Sequence, residues 1–411
     1  MLKFTNRLIN KIDKNVSDLM EHHLGGLVTE RIDKQYIYLH HGKILNFTTN
    51  SCLGLESDER IKAGIIQATE RNGASFIVSR IFISPPQFAE FSRLLHHLFE
   101  SYPVVTASTT LCHLSALPVL IQKHDVVILD EFAHNSLRLA TLRADTGIRI
   151  KTVRHNNMQA LDKMVSMLQT DQAVNNIWYL ADGVYSMLGS HCVVMALTEL
   201  LDRYSNFYAY IDDAHGMSIM GKHGRGFVLS HFDQQPEKMV VAVSLSKSFG
   251  IGCGGAVIVP NAEWQRKIRR CGPTRISSSP IPIPMLGAGI ASAKIHLSDE
   301  ITMLQDSLRL RMEWLIAGAR RYELPLANEA SSGIFYFTIG EWEKTVTVAR
   351  YLLDHGMYVN ACTFPAVPMQ MSGIRIVLTV HHTQAEIEHL VKIFSEALLK
   401  FNMKATSRQI I

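Results

Sequence analysis

One stretch near the middle of the sequence, Met239–Pro260, constrains the fold more than any other. Its letters, MVVAVSLSKSFGIGCGGAVIVP, read as an apolar strand, a polar turn with one lysine, a run of glycines and a second apolar strand. An ammonium group is costly to bury without a partner, so Lys247 between two buried strands indicates an amine presented to a ligand. Partial desolvation makes such an amine a nucleophile of the kind that forms Schiff bases. The alternative is an ordinary lysine of a surface turn.

A second stretch, Phe207–Phe227, supplies an acid. The apolar run Phe207–Ile211 predicts a strand, and Asp212 and His215 follow where it ends. Ligands of open α/β sheets gather at the carboxyl ends of the strands. A Schiff-base lysine, together with an acid that keeps a pyridine nitrogen protonated, is the pair with which pyridoxal phosphate (PLP) acts as an electron sink. The two stretches together therefore predict a PLP site.

These motifs, in this order along the chain, resemble those of the α-oxoamine synthases. These are fold-type I PLP enzymes that join an amino acid to an acyl-CoA with loss of carbon dioxide. The resemblance extends from about Asn46 to about His382. It implies an α/β fold, with a mostly parallel central sheet in a large domain and a smaller C-terminal α+β domain. It also implies PLP as the cofactor and a homodimer with shared active sites.

The resemblance gives four residues catalytic roles. Lys247 matches the lysine that holds the cofactor and removes the substrate's α-proton, and Asp212 matches the acid that pairs with the pyridine nitrogen. His215 matches the residue bonded to the phenolic oxygen of the ring. His134, in Glu-Phe-Ala-His-Asn-Ser, matches the histidine that stacks on the ring face. Taken alone, His134 would be read as a polar residue at a helix start.

Further cofactor contacts follow from the same resemblance. Relatives usually carry Ser-Gly-aromatic at the strand-to-helix turn that holds the phosphate, where this chain has Ser-Thr-Thr. Backbone N–H groups and the helix dipole at such a turn favour an anion. The residues that we expect to contact the cofactor are Asp182, Ser186, Ser244, Ser108, Thr109, Thr110 and, from the other subunit, Ser278. A hinge before the following helix is the alternative interpretation of Ser278.

Two residues are predicted to bind the amino-acid substrate. Arg375 lies in the apolar run Gly-Ile-Arg-Ile-Val-Leu-Thr, where a charge needs a reason, and bidentate binding of a carboxylate supplies one. The resemblance assigns Arg375 to the substrate carboxylate, and Asn50, in Asn-Ser-Cys-Leu-Gly-Leu, to the substrate. The alternatives are an arginine of an edge strand that faces water, and an asparagine that serves only a turn.

The order of the elements predicts the domain organisation. Strands and helices alternate from Val104 onward, which favours a parallel sheet covered on both faces. Phe4 and the apolar residues after it, at helical spacing, predict an amphipathic N-terminal helix. We expect three segments: an N-terminal helix and arm (1–56), a large PLP-binding domain (57–290) and a C-terminal domain (291–411) with a long linking helix from near Pro284 to about Tyr322.

Composition excludes several classes of function. The net charge is only +4, with 19% charged residues and no dense Lys/Arg block, which does not indicate a nucleic-acid surface. Six scattered cysteines without a Cys-x-x-Cys pair favour reduced thiols over disulfides or a zinc site. No run approaches the ~20 apolar residues of a membrane span, and the N-terminus lacks the apolar core of a signal peptide. We therefore expect a cytoplasmic enzyme without a metal.

Two glycine-rich motifs suggest other ligands and are declined. The run from Gly216 to Lys222 begins like a Walker A loop, but His223 stands where the magnesium-binding Ser or Thr would be. The run from Gly250 to Gly255 fits the dinucleotide-binding fingerprint, but a predicted strand follows it where that fingerprint must open a helix.

The substrate is predicted from departures from the family pattern. The segment Ala74–Ser84 is bulkier than the glycine- and serine-rich segment of most relatives. Thr109, Thr110 and Leu188 also differ from the residues that relatives usually carry at these positions. These differences favour the quorum-sensing autoinducer synthase branch, with a medium or long acyl-CoA. The alternative is a housekeeping enzyme such as 8-amino-7-oxononanoate synthase, 2-amino-3-ketobutyrate CoA ligase or serine palmitoyltransferase. The alternative interpretation of Leu188 is a residue that serves ordinary packing.

Two other classes of protein are also considered. A non-catalytic partner subunit would be expected to lose the lysine or its acid, yet Lys247, Asp212, His215 and His134 are all present. A PLP enzyme of another reaction type, such as an aminotransferase, fits less well because the Asp-x-x-His pairing follows the oxoamine pattern.

Overall fold

The computed structural model describes residues 6–40, 42–75, 78–144, 147–329, 332–368 and 370–403. Two compact units divide the chain between them. The large unit comprises Leu53–Tyr185 and His191–Gln305, and the small unit comprises Met1–Cys52, Ser186–Ser190 and Asp306–Ile411.

The strands and helices follow one another along the described chain. The strands are β1 (Arg31–Asp33), β2 (Tyr36–Leu39), β3 (Gly42–Asn46), β4 (Tyr102–Thr106), β5 (Val126–Asp130), β6 (Arg149–Val153), β7 (Ile177–Asp182), β8 (Phe207–Asp212), β9 (Met239–Ser244), β10 (Gly255–Val259), β11 (Ile334–Gly340), β12 (Met357–Tyr358), β13 (Asn360–Cys362) and β14 (Ser372–Val377). The helices are α1 (Asn6–Glu21), α2 (Glu59–Asn72), α3 (Pro86–Phe99), α4 (Thr109–Leu120), α5 (Asn135–Thr141), α6 (Met158–Gln169), α7 (Val194–Arg203), α8 (Ala262–Cys271), α9 (Pro273–Ser277), α10 (Ile283–His296), α11 (Glu300–Arg321), α12 (Trp342–Asp354) and α13 (Gln384–Lys400).

The large unit is built on a seven-stranded sheet of order β4-β10-β9-β8-β7-β5-β6. The five strands β9, β8, β7, β5 and β6, in this spatial order, pair in parallel. Strand β10 is antiparallel to both of its neighbours, β4 and β9. Every residue of β5, β7, β9 and β10 is buried, as expected for strands with both faces covered. The sheet is therefore mixed, and the expected mostly parallel α/β architecture is confirmed with β10 as its exception.

Helix α4 lies against this sheet and carries buried residues into the interior. It packs on β9 and β10 and also contacts α5, α8 and α9. Ser108 caps its first turn, because the Ser108 hydroxyl accepts a hydrogen bond from Leu111 N at 3.2 Å. Cys112, His113 and Ala116 are fully buried.

The small unit contains two sheets. In the three-stranded sheet, β14 lies between β11 and β13 and is antiparallel to both. The four-stranded sheet brings together two segments that lie far apart in the sequence. Its strand β3 pairs in parallel with β12, with Leu45 opposite Met357. Helix α13 begins with a capping box between Thr383 and Glu386.

One local prediction was wrong. The single helix expected from near Pro284 to about Tyr322 is two helices, since α10 ends at His296 and α11 begins at Glu300. Ser298 interrupts it, because its hydroxyl donates to Ile295 O at 2.8 Å and so competes with the helical hydrogen bonds.

The amphipathic N-terminal helix is confirmed as α1, although Phe4 lies outside the described residues. In the part of the chain that the structure describes, no helix combines the length and the apolar character needed to cross a bilayer.

The close approach of α2 and α10 gives a test of the fold. A Cβ on Gly287 would lie 2.1 Å from Gly64 O, so Gly287→Ala forces the two helices apart. Helix propensity alone would make this change stabilising by about 1 kcal/mol. We expect it instead to lower the free energy of unfolding by about 1–3 kcal/mol, as overpacking does. Urea unfolding measures the sign, and a more stable Gly287→Ala variant would contradict the contact.

Candidate active site

Two carboxylates end adjacent strands at the same edge of the large sheet. Asp182 is the last residue of β7 and Asp212 the last of β8, and the two are register partners. Their side chains are buried, with residue exposures of 4% and 5%. Asp212 Oδ1 accepts from Ala214 N at 3.1 Å, and Asp182 Oδ1 accepts from His134 N at 2.9 Å. The parallel sheet thus places two acids where ligands of such sheets bind.

The surroundings shift the pKa values of the two carboxylates in opposite directions. Burial and the charge of Asp212 raise the pKa of Asp182 well above its ordinary value. Burial acts the same way on Asp212, but the charge and hydrogen bond of His113, with the charges of His134 and Lys247, outweigh it and hold the pKa of Asp212 below its ordinary value. Of the two carboxylates, Asp212 is therefore the one whose surroundings favour the ionised form.

His113 supports Asp212 from helix α4. Its Nε2 donates to Asp212 Oδ2 at 2.9 Å, and its Nδ1 lies 3.0 Å from the hydroxyl of Tyr210. The His113 ring is fully buried. Sequence reasoning missed this residue because it stands in an otherwise apolar helix; a histidine five residues after the capping serine was the available signal.

Lys247, in the turn after β9, contacts His215, in the turn after β8. Lys247 Nζ lies 2.6 Å from His215 Nε2, and both residues are partly buried. Lys247 O accepts from Gly250 N at 2.8 Å, and Gly250 has φ +87° with its Cα close to Leu55, so a side chain there would displace the turn. The charge of Lys247 lowers the pKa of both Asp182 and Asp212, which requires proximity. The predicted amine and acid thus lie in one cluster.

His134 borders the same cluster. Its Nδ1 lies 2.6 Å from Ser136 Oγ. The surrounding protein desolvates its ring and lowers the pKa of His134, and Lys247 and His113 act in the same direction. The side chain is nevertheless exposed to solvent, so a flat ligand has access to it.

The residues predicted to hold the phosphate lie at the starts and ends of neighbouring elements. Thr109 and Thr110 open α4, but the hydroxyl of Ser108 is engaged in the helix cap. Ser244 ends β9, and its Oγ lies 2.9 Å from Ser246 Oγ. A Cβ on Gly255 would lie 2.7 Å from Thr109 N, so only glycine lets β10 approach the start of α4 this closely. Ser278 lines a separate cavity with Arg80 and Arg275.

Asp213, the neighbour of Asp212 in the sequence, holds a loop together. Its Oδ2 accepts from Val228 N at 2.9 Å, and side chains at Gly183, Gly216 or Gly226 would each lie within 2.4 Å of its carboxyl group. Burial, with a smaller contribution from the charge of Asp212, raises the pKa of Asp213 to about 8.

The small unit holds the predicted substrate arginine. Arg375 is 5% exposed on the central strand β14, so it is not the edge-strand arginine of the alternative interpretation. Its guanidinium donates to Ser186 O at 2.7 Å, Asn50 Oδ1 at 3.1 Å and Asn360 Oδ1 at 3.3 Å. Burial lowers the pKa of Arg375, and no carboxylate of the described residues opposes it. A buried guanidinium with neutral partners suits an incoming carboxylate.

The departures that favour a signalling substrate have little structural support. The side chain of Leu188 is buried, as in ordinary packing. Its carbonyl accepts a hydrogen bond from the side-chain amide of Asn328. Within Ala74–Ser84, Phe76 and Ile77 lie outside the described residues.

The cluster fits the cofactor that the sequence implies. It offers an amine on Lys247, one ionised carboxylate on Asp212 for a protonated ring nitrogen, and the exposed ring of His134 for stacking. No group of three or more potential metal ligands occurs among the described residues.

The raised pKa of Asp213 gives a testable pH dependence. Between its ordinary value of 3.8 and about 8, the folded state binds a proton that the unfolded state has lost, so this group makes stability fall as pH rises. Asp213→Asn removes the effect. We expect the variant to lose less free energy of unfolding than the parent between pH of about 5 and about 8, by at least about 1.4 kcal/mol, the equivalent of one unit of pKa.

Urea unfolding at both pH values measures the difference. Asp233→Asn, at an exposed acid, is the matched control and leaves the pH dependence unchanged. Equal pH dependence of Asp213→Asn and the parent would show that Asp213 is ionised in the fold.

Comparison with known proteins places this geometry in a family. The model of the aminotransferase class I and II family matches residues 42–394. The chain is 27% identical over 366 residues to 8-amino-7-oxononanoate synthase of Methylobacillus flagellatus, covering 87% of this chain and 88% of the relative. It is also 27% identical over 357 residues to that enzyme of Treponema denticola, covering 85% and 87%.

Solved structures show the same fold. Serine palmitoyltransferase of Sphingomonas wittichii superposes with a TM-score of 0.87 at 20% identity, covering 97% of this chain and 99% of that one. A serine palmitoyltransferase of S. paucimobilis with PLP bound gives a TM-score of 0.88 at 21% identity, covering 97% and 99%.

The comparisons do not support the autoinducer synthase branch that the sequence analysis favours. The relatives named above are 8-amino-7-oxononanoate synthases and serine palmitoyltransferases, which fit its housekeeping alternative better. The chain therefore belongs to the aminotransferase class I and II family, as a PLP-dependent acyltransferase whose relatives are α-oxoamine synthases.

Proposed function

We propose that this enzyme joins the α-carbon of an amino acid to the acyl group of an acyl-CoA, with release of carbon dioxide and CoA. The observation that carries the proposal is the cluster in which Lys247, His215 and Asp212 lie together, with His113 behind Asp212. A housekeeping reaction is the better supported of the two branches, since the relatives are named 8-amino-7-oxononanoate synthase. The substrate pair that we propose for this branch is alanine and pimeloyl-CoA.

The cofactor, when bound, supplies an aldehyde that captures amino groups and a ring that accepts electron density from a neighbouring carbanion. Lys247 would hold the cofactor aldehyde through Nζ, and its free amine would serve as the general base for the α-proton of the substrate. His215, whose Nε2 lies 2.6 Å from Nζ, orients this amine and would be the partner of the phenolic oxygen. His134 would stack on the ring, and Asp182 fixes His134 by accepting a hydrogen bond from its backbone N–H.

Asp212 would keep a proton on the ring nitrogen of the cofactor, because an ionised carboxylate stabilises an adjacent N–H⁺. His113 has no contact with the substrate in this proposal. It acts as a positioning residue, by donating to Asp212 Oδ2 and adding favourable charge.

Substrate and phosphate contacts complete the proposal. Arg375 binds the amino-acid carboxylate with two N–H groups, and Asn50 aligns the guanidinium through its Oδ1. The residues proposed to hold the phosphate are Ser108, Thr109, Thr110, Ser244 and, in a homodimer, Ser278 of the second copy. Ser186 is proposed as a further cofactor contact.

A panel of amino acids and acyl-CoA thioesters, with products identified by mass spectrometry, tests the reaction. We expect a decarboxylated aminoketone, formed best from alanine and pimeloyl-CoA. Product from medium or long acyl-CoA alone would return the enzyme to the signalling branch. Transfer of an amino group without carbon–carbon bond formation would contradict the proposed reaction class.

Lys247→Ala should abolish the yellow absorbance of the lysine-bound cofactor and reduce turnover by at least about a thousandfold. Lys222→Ala is the matched control, because Lys222 is exposed and its ammonium group pairs with Glu100 on the surface. Absorbance spectra and product formation are measured on both variants. Condensation that persists in Lys247→Ala would defeat the assignment.

His113→Leu should raise the pKa of Asp212 and so move the acidic limb of the pH profile of kcat/KM upward by about one unit. We expect kcat/KM at neutral pH to fall about tenfold or more. His113→Gln keeps a donor without the charge and should recover part of the loss. A loss of activity with an unchanged pH profile in both variants would mean that His113 only fills space.

A further inference from the structure

A cluster of three arginines in the large unit lies outside the cluster around Lys247. Arg80 follows α2, Arg269 lies on α8 and Arg275 on α9, and the charges of these side chains act on one another. None of the three gains favourable charge from a carboxylate of the described residues. Like charges held together without a counter-ion indicate an anion that the isolated chain does not supply.

The hydrogen bonds of these arginines go to neutral groups. Arg275 Nε donates to Arg269 O at 2.8 Å, and Arg269 Nη2 donates to Pro103 O at 3.4 Å. The Arg80 guanidinium stacks 3.6 Å from the ring centroid of Phe88, and its Nε is buried without a hydrogen-bond partner among the described residues. An aromatic face stabilises a cation but leaves its N–H groups unsatisfied.

Burial and mutual repulsion destabilise the charged forms without removing them. They lower the pKa of Arg80 to about 9 and that of Arg275 to about 10. Both side chains therefore stay protonated at neutral pH, and the region keeps its positive charge.

Arg80 and Arg275 line a small cavity between α4 and the loop after α9. Hydroxyl groups surround them there, on Ser79, Thr274, Ser278 and Ser279. The cavity volume is about 30 Å³, room for about two waters. It suits a small oxyanion, or the end of a larger molecule, and not a nucleoside or an acyl chain.

We propose that Arg80 and Arg275 form a binding site for a phosphate group. Two guanidinium groups match the charge of a phosphate dianion, and the planar N–H forks with adjacent hydroxyls match its oxygens. The phosphate can come from the cofactor, since Ser278 is the residue predicted to reach it, or from a separate molecule such as CoA or inorganic phosphate. The proposed site needs only an anionic ligand, so it does not depend on the proposed reaction. Only the choice of CoA as the source of the phosphate rests on that reaction.

Binding measurements separate these sources. The holoenzyme, in phosphate-free buffer at matched ionic strength, is titrated calorimetrically with inorganic phosphate and with CoA. The apoenzyme is titrated with PLP and with pyridoxal, which lacks the phosphate. Each titration is repeated on Arg80→Gln and Arg275→Gln, and on Arg270→Gln as the matched control, because Arg270 is exposed on α8.

At least one phosphate-bearing ligand should bind about tenfold more weakly to both Arg80→Gln and Arg275→Gln, with Arg270→Gln unchanged. A reduced preference for PLP over pyridoxal identifies the cofactor as the source, and weaker binding of CoA or phosphate to the holoenzyme identifies a separate ligand. Arg80→Lys and Arg275→Lys, which keep the charge and lose the fork, provide folded variants if the Gln forms do not fold.

Unchanged affinities for all four ligands would overturn the proposal. Weakened self-association of the variants with unchanged phosphate affinity would overturn it too, since it would assign the cavity to a carboxylate of a second copy. No titration involves turnover, so failure of the phosphate site and failure of the condensation reaction are distinguishable.

Discussion

The chemistry of this protein depends on one buried carboxylate that stays ionised. Two acids side by side in a low-dielectric interior oppose each other's ionisation, and the register of β7 and β8 makes Asp182 and Asp212 immediate neighbours. The charge and hydrogen bond of His113 contribute most to keeping the pKa of Asp212 low. The position of His113 depends in turn on α4, whose cap at Ser108 sets where that helix begins. The electrostatics of the cluster therefore depend on helix geometry as much as on the sheet edge.

Several glycines near this cluster allow close contacts that a side chain would prevent. Gly183, Gly216 and Gly226 leave room for the carboxyl group of Asp213, and Gly255 lets β10 reach the start of α4. In each case a methyl group would push a structural element away from the carboxylates or from the phosphate-binding turn. The glycine-rich segments that imitate nucleotide-binding motifs in the sequence are thus explained by packing, and the strand β10 after Gly250–Gly255 agrees with declining the dinucleotide fingerprint.

The sequence was sufficient to predict the sheet and the position of Asp212 at the end of a strand, because buried parallel strands leave long apolar runs and polar residues follow where they end. It did not reveal His113, whose partner lies 99 positions away and whose helix is apolar on every side. The break between α10 and α11 depends on the side chain of Ser298, a weak local signal. The arginines around Arg80 carry no motif, since only the fold brings Arg80 to the distant segment that holds Arg269 and Arg275. The relatives do not support the substrate prediction, and Leu188, one of the departures on which it rested, is buried.

The pairing of β3 with β12 determines when the small unit can form during synthesis. Residues 42–46 leave the ribosome some three hundred positions before the strand against which they lie. The segments of the large unit lie between them, so its sheet can assemble while the first fifty residues still lack their partners. Until residues 357–358 are synthesised, the early hairpin of β2 and β3 presents an open edge, the kind of surface that chaperones shield.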